Sequence, residues 1–345
     1  MKRFFVVSMV VGFFSGLILG LCATPATAQK PIELTMTYQY PPSSDKDLHL
    51  QRWAKKIEEE SKGRLKFKIY AGAVLVSGFE TYSSIPKGVA DIGFGPRYGV
   101  GSPFTDELFS ITLMGTPDVV TSTLVVDDLM KKYPEYYAKE WGDTKILWMQ
   151  ADPSSNLFTK SKPIRAPEEV KGMELRAPIK PAVELWKALG AKPVSMPLAD
   201  FVLGLQKGTV DGGTTTKGDI RSFKFTAVAK YFTDFALFTC PALFMVMNLN
   251  KWNSLPPDLQ KVMYDNCKWG KAETVKFLDK DTESAKEWAI KQGMEFITLK
   301  PEERKKWVAA AEPVYLRIAG DLDAKGYPAT AAFKFGQERL AHYMK

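Results

Sequence analysis

The sequence predicts an α/β protein with two similar lobes and a binding cleft between them. Strand and helix patterns alternate from residue 32 to residue 94, and a second alternation of the same kind begins near residue 145. The charged segment from Leu255 to Lys291 predicts one or two long helices that lie across both lobes. In such an arrangement strand ends and helix N-termini converge on the cleft, which is where ligands bind.

The first alternation consists of short strands separated by amphipathic helices. An apolar/polar alternation at 32–37 predicts a strand, and the helical pattern after it ends at Gly63, which suits a C-terminal cap. The rest of this lobe is expected to contain a strand at 65–70, a helix at 79–87 and a strand at 90–94. A β-α-β-α-β order of this kind builds a mostly parallel sheet.

The second alternation repeats this order in outline. It is expected to contain strands at 145–149 and 174–178, a helix at 181–189, a strand at 193–196, a helix at 199–207 and a short strand around Val210. Further helices are predicted at 302–311 and 330–343.

The N-terminus has the three-part layout of a secretory signal. Lys2 and Arg3 precede an apolar run that ends in small residues, and cleavage is expected after Ala28. A membrane anchor is the alternative, because the run is near the lower length limit of a spanning helix, but Pro25 and the small residues favour cleavage. Cys22 then belongs to the removed peptide. The sequence therefore predicts an exported, periplasmic protein.

The charge and cysteine content of the remaining chain exclude few classes. Removal of 28 of the 345 residues leaves 317, and the loss of two cations lowers the formal net charge from +8 to +6. Lysines alternate with glutamates, as in 55–60, which is typical of a solvated helix face and not of a nucleic-acid surface. Nucleic acid is therefore not an expected partner. Cys240 and Cys267 remain, and the sequence leaves open whether they pair.

Short motifs in a fixed order run from about residue 31 to about residue 300. They occupy 52–55, 61–65, 85–93, 162–164, 167–176, 189–194, 205–212, 230–233 and 252–256. In this order and spacing the chain resembles the solute receptors of the tripartite ATP-independent periplasmic (TRAP) transporters, the dicarboxylate-receptor-like DctP family.

The resemblance implies a two-lobed periplasmic-binding-protein fold with hinge strands and long C-terminal helices spanning both lobes. The expected lobe I is 29–153 with 241–280, and lobe II is 154–240 with 281–345. The implied function is capture of a small organic anion, most suitably a carboxylate, and delivery to the TRAP permease membrane subunits. A monomer without cofactor is expected. A small sulfonate is the alternative ligand. The alternative function is that of an exported ligand-sensing subunit of a membrane signalling protein. Adjacent permease genes or an adjacent sensor kinase gene would discriminate between transport and sensing.

Arg176 is the residue on which the resemblance places the binding chemistry. In the family, the arginine at the end of this strand points into the cleft and pairs with the carboxylate of the ligand. A guanidinium group suits that role because it forms two parallel hydrogen bonds with a carboxylate and keeps its charge. The alternative is an ordinary surface ion pair.

Two further segments are matched to ligand-facing stretches of the family. Asn156, next to Ser155, stands where some members that bind sialic acid have a second arginine, so sialic acid itself is not expected here. Thr214 and Thr215 follow the Asp211-Gly212 motif and offer hydroxyl groups to a compact anion. A threonine-rich turn bonded only to backbone is the alternative for this segment.

The segment 93–99 supplies candidates from the first lobe. It begins like a dinucleotide-binding loop, but Pro96 and Tyr98 break that pattern, so no cofactor is expected. Arg97 and Tyr98 are instead expected to line the cleft opposite Tyr40, and a surface position for Arg97 is the alternative.

The residue inventory argues against an enzyme. His49 and His342 are the two histidines of the chain and have no partners at a recognisable spacing. No zinc-protease, redox, nucleophile-elbow or phosphate-loop motif occurs. We therefore expect no catalytic residues and no metal ligands.

Overall fold

The computed structural model describes residues 30–98, 103–113, 115–116, 118–239 and 242–345, without the side chains of 103, 106 and 236–239. The expected signal segment 1–28 and Cys240 lie outside the described residues. Residues from Pro31 to Lys345 form one compact unit.

Five strands form the first sheet of this unit. Their spatial order is β2 (Leu65–Tyr70), β1 (Ile32–Tyr38), β3 (Ile92–Pro96), β10 (Leu243–Asn248) and β4 (Thr144–Gln150). The first three strands are parallel, and β10 is antiparallel to both of its neighbours. Every residue of β10 is buried, as expected for an apolar central strand covered on both faces.

Six strands form the second sheet. Their spatial order is β11 (Glu295–Thr298), β9 (Tyr231–Thr239), β5 (Ser154–Thr159), β8 (Gly212–Thr215), β6 (Glu174–Arg176) and β7 (Lys192–Val194). β6 is parallel to β7 and to β8, whereas β5 is antiparallel to β8 and to β9. Both sheets are thus mixed, because strands that cross between the lobes enter each sheet in the opposite direction.

Three segments connect the two sheets. β4 in the first sheet is followed after three residues by β5 in the second, and β9 in the second is followed by β10 in the first. The third connection is the 35-residue helix α10 (Pro257–Lys291), which leads from the first sheet to β11. This is the predicted two-lobed α/β architecture with hinge strands and a long C-terminal helix across both lobes.

Helices cover both sheets. Before α10 they are α1 (Asp45–Glu60), α2 (Thr81–Ser84), α3 (Leu108–Thr112), α4 (Val119–Lys132), α5 (Pro134–Trp141), α6 (Lys180–Ala188), α7 (Leu198–Lys207), α8 (Lys217–Ser222) and α9 (Leu249–Ser254). After it come α11 (Pro301–Asp323) and α12 (Ala329–Tyr343). A single π-helical turn covers Pro103–Glu107, and short 3₁₀ turns cover Pro167–Val170 and Phe225–Ala227.

Most of the predicted elements are confirmed within two residues of their expected ends. Two differ more. The helix expected at 79–87 is a single turn, α2, because the chain turns sharply before β3. The strand expected around Val210 lies two residues later, as β8, so the Gly-Thr segment that follows the Asp211-Gly212 motif is a central strand and not a turn.

Helix α10 packs closely on the first lobe where it carries a glycine. A Cβ atom at Gly270 would lie 2.7 Å from Cδ1 of Trp53 and 3.1 Å from the Trp148 ring. Trp53 and Trp148 are buried and their rings meet edge to face, with centroids 5.3 Å apart. The missing side chain therefore lets the helix backbone approach two core tryptophans.

Two features are absent from the described residues. No helix there is both long enough and apolar enough to cross a membrane. No three His, Cys, Asp or Glu side chains of that part of the chain converge as a metal site would require. Cys267 is a buried free thiol that donates to the Met263 carbonyl oxygen.

Candidate functional site

The cleft between the lobes is bordered by strand ends from both sheets. Arg176 is the last residue of β6 and is only 2% exposed. On the neighbouring strand its register partner is Gly213, where a Cβ atom would lie 2.5 Å from the arginine Cβ. The glycine therefore leaves the space in which the arginine side chain lies.

Two backbone carbonyls hold the Arg176 guanidinium group in place. Its Nε donates to the Met196 carbonyl oxygen at 3.0 Å, and its Nη1 donates to the Thr214 carbonyl oxygen at 2.9 Å. Its Nη2 is buried and has no hydrogen-bond partner among the described residues. Since a guanidinium has five N–H groups, this geometry leaves donors free on a rigidly held, buried cation.

Strand β8 connects this arginine to an acidic residue of helix α8. The Thr215 hydroxyl donates to Oδ2 of Asp219 at 2.9 Å, so its single proton is not available to a bound ligand. Thr214 contributes its carbonyl oxygen to Arg176, as described above. Both threonines are buried.

Asp219 also forms an ion pair across the cleft. Lys46, in the first turn of α1 in the other lobe, places Nζ 2.7 Å from Oδ1 of Asp219, and both side chains are almost fully buried. Burial alone would raise the pKa of Asp219, but the Lys46 ammonium and the threonine hydroxyls hold it below its usual value. Both residues are therefore charged, and the lobes are joined by a buried ion pair.

Tyr40 and Tyr98 lie on the first-lobe side. The Lys46 ammonium is 4.7 Å from the centroid of the Tyr40 ring, which is buried beside Phe94. The Tyr98 hydroxyl accepts from Nε2 of Gln39 at 3.4 Å. Burial, the largest effect, raises the pKa of Tyr40 well above its usual value, so this phenol is neutral at neutral pH.

Arg97 lies in a cage of aromatic side chains within the first lobe. Its guanidinium carbon is 3.9 Å from the centroid of the Tyr82 ring and 4.6 Å from that of the Trp141 ring. Its Nη1 donates to the carbonyl oxygen of Glu140 at 2.9 Å. These contacts hold Arg97 against α2 and α5, in a buried position and not on the surface.

Ser155 and Asn156 lie near the start of β5, where its pairing with β9 is irregular. The register shifts between Ser155 and Leu157. At this bulge Nδ2 of Asn156 donates to the Ser154 carbonyl oxygen at 3.0 Å, and its Oδ1 accepts from the backbone N–H of Phe235 at 2.9 Å. The Asn156 amide therefore bonds the two edges of the bulge, next to the crossing between the lobes.

Sequence reasoning did not find the two ends of the ion pair. Lys46 stands in an otherwise acidic first helical turn, which is typical of a solvated surface. Asp219 carried a local signal, because Thr216 accepts from its backbone N–H as the N-cap of α8. That signal predicts a helix start and gives no indication of a partner in the other lobe.

The family model described as bacterial extracellular solute-binding protein, family 7, matches residues 36–321. The chain therefore belongs to this family, the DctP family, and is a solute-binding protein of the TRAP type and not an enzyme. The family description calls these proteins extracellular.

One curated relative and two solved structures illustrate the similarity. A solute-binding protein of Albidiferax ferrireducens is 27% identical over 219 residues, which cover 58% of this chain and 60% of that protein. A TRAP solute-binding protein from Rhodoferax ferrireducens, solved with copurified benzoate, has a TM-score of 0.83 at 23% identity, covering 91% of this chain and 98% of that one. A second, from Shewanella oneidensis with bound succinate, has a TM-score of 0.77 at 16% identity, covering 90% and 99%. At these identities the two structures confirm the fold.

Proposed function

We propose that this protein is a periplasmic receptor that captures a small organic anion, most suitably a carboxylate, and delivers it to the membrane subunits of a TRAP permease. The observation that carries the proposal is the Nη2 group of Arg176, a buried donor on a fixed cation without a partner among the described residues. A buried cation of this kind is stable when an anion pairs with it. The two oxygens of a carboxylate match neighbouring N–H groups of a guanidinium.

The other cleft residues take supporting roles in this proposal. Tyr40 and Tyr98 form the first-lobe wall, and Ser155 and Thr214 form the wall beside Arg176. Asn156, Thr215 and Arg97 shape the site indirectly, because their polar groups bond to neighbouring protein groups. Closure of the lobes around the hinge would remove water from the anion and strengthen its contact with the guanidinium.

Export and oligomeric state complete the proposal. We infer that residues 1–28 direct the chain to the periplasm and are removed after Ala28, and that the receptor acts as a monomer. Mass spectrometry of the protein recovered from the periplasm should give an N-terminus at Gln29. A mass that includes the first 28 residues would contradict the cleavage and favour the membrane anchor.

Calorimetric titration with a panel of organic acids tests the binding role. For an acid that binds, Arg176→Ala should weaken the affinity by about 3 kcal/mol, roughly 100-fold, since a buried charge pair loses one partner. Arg176→Lys should lose part of the affinity, because an ammonium keeps the charge but cannot bond both carbonyls and the anion in the same plane. Arg317→Ala is the matched control, because Arg317 is half-exposed and pairs with Glu184 on the surface. Unchanged affinity in Arg176→Ala would refute the assignment.

A further inference from the structure

We propose that the captured anion is a monocarboxylate, and that Asp219 determines this selectivity by neutralising Lys46, the second cation of the cleft. The inference rests on the proposed function, since it takes Arg176 as the anion-binding group. It adds the number of negative charges on the ligand, which the proposed function does not specify.

The two cations are linked by a continuous series of contacts. Arg176 bonds to the carbonyl oxygen of Thr214, and the next residue, Thr215, bonds to Asp219, which pairs with Lys46. Arg176 and Lys46 are therefore linked across the two lobes through β8 and α8. An anion that contacts the arginine and extends toward the first lobe approaches this lysine.

The charges of the two cations are compensated very differently. Within the described residues, Lys46 forms one ion pair and Arg176 forms none. The described hydrogen bonds of Arg176 go to neutral backbone carbonyls. Burial by itself would lower the pKa of Lys46, but Asp219, then Tyr40, Asp152 and Asp281, keep it well above its usual value. The lysine thus already stands among three carboxylates, and of these two cations only the arginine has no ion-pair partner among the described residues.

A second carboxylate on the ligand would meet an unfavourable environment. The Lys46 ammonium is already paired with Asp219, and Asp219 and Asp152 would repel the incoming negative charge. A buried carboxylate without a partner is strongly disfavoured, and like charges placed together across an interface lower affinity. One negative charge satisfies the cleft, whereas two leave one uncompensated.

Matched pairs of acids that differ by one carboxylate test this on the unaltered protein. Benzoate with isophthalate, butanoate with succinate, and hexanoate with adipate are titrated by calorimetry under the same buffer and salt. In each pair that shows binding, the monoacid should bind roughly 100-fold more tightly than the diacid.

The variant Asp219→Asn should reverse part of this preference. It leaves Lys46 without its ion-pair partner, so a diacid can now supply the missing negative charge. The ratio of monoacid to diacid affinity should therefore fall by roughly tenfold or more. Asp45→Asn is the matched control, because Asp45 pairs with Arg221 of the other lobe but is half-exposed and leaves Lys46 neutralised. Its ratio should equal that of the unaltered protein.

The outcomes separate this inference from the proposed function. A diacid that binds the unaltered protein as tightly as its monoacid, and loses binding in Arg176→Ala, overturns the inference and leaves the function standing. An unchanged ratio in Asp219→Asn also overturns it. If no acid of the panel binds, both proposals fail.

Discussion

The buried ion pair between the lobes leads to the sharpest prediction about closure. Lys46→Met removes the ammonium at nearly constant volume and leaves the Asp219 carboxylate with the Thr215 hydroxyl as a remaining partner. Because both side chains of the pair are almost fully buried, loss of one partner should cost about 3–5 kcal/mol in the closed arrangement.

This cost should appear in ligand affinity and not in global stability. The two residues belong to different lobes, so opening of the cleft returns the remaining charge to water and relieves the penalty. The single variant should therefore bind its acid roughly 100-fold more weakly, while its midpoint of thermal unfolding without ligand changes little. Small-angle X-ray scattering of the ligand-free variant should show a larger radius of gyration than that of the unaltered protein.

A double variant controls for the loss of the lysine side chain itself. Lys46→Met combined with Asp219→Asn removes both charges of the pair and leaves neither member as an unpaired buried ion, so it should recover most of the monoacid affinity that the single variant loses. The reasoning would be refuted by a single variant that binds within about threefold of the unaltered protein, or by a double variant weaker than both singles.

Two further predictions concern stability. Gly270→Ala should destabilise the protein by about 1–3 kcal/mol in chemical unfolding, because its Cβ would lie 2.7 Å from Trp53. Gly320→Ala is the control: this helical position has open space around it, so the substitution should be neutral or stabilising by up to about 1 kcal/mol. Equal effects of the two substitutions would contradict the packing argument. Burial and the nearby Arg52 charge lower the pKa of His49 to about 4. The neutral imidazole therefore contributes its whole stabilisation above about pH 6.5, and this contribution, about 3 kcal/mol, is lost as the pH falls toward 4. His49→Gln should flatten the unfolding free energy over that window, and an unchanged pH dependence would exclude His49 as its source.

Much of the architecture could be predicted because strands and helices are set by local periodicity. Strand β2 has its predicted bounds, and helix α10 ends at Lys291, where the charged helical segment was expected to end. The lobe crossings were only partly predictable, since a fully apolar strand such as β10 carries no alternation that shows its direction or its sheet.

The residues of the candidate site likewise differ in how far the sequence could predict them. Arg176 could be singled out because its motif and its place at a strand end are properties of one short segment. The environment of Arg97 could not, because the cage around it combines Tyr82 and Trp141 from separate helices. Asn156 likewise bonds to Phe235, 79 residues away, through a bulge that no local pattern shows.

The sequence by itself determined the α/β class, the two lobes, the family and the one arginine that carries the binding proposal, because each of these depends on short stretches of chain. Only the tertiary structure decided which charges of the cleft remain unmatched. Lys46 and Asp219 are 173 residues apart and meet only when the lobes come together. A charge on a chain acts according to what faces it, and that is decided by packing and not by order along the sequence.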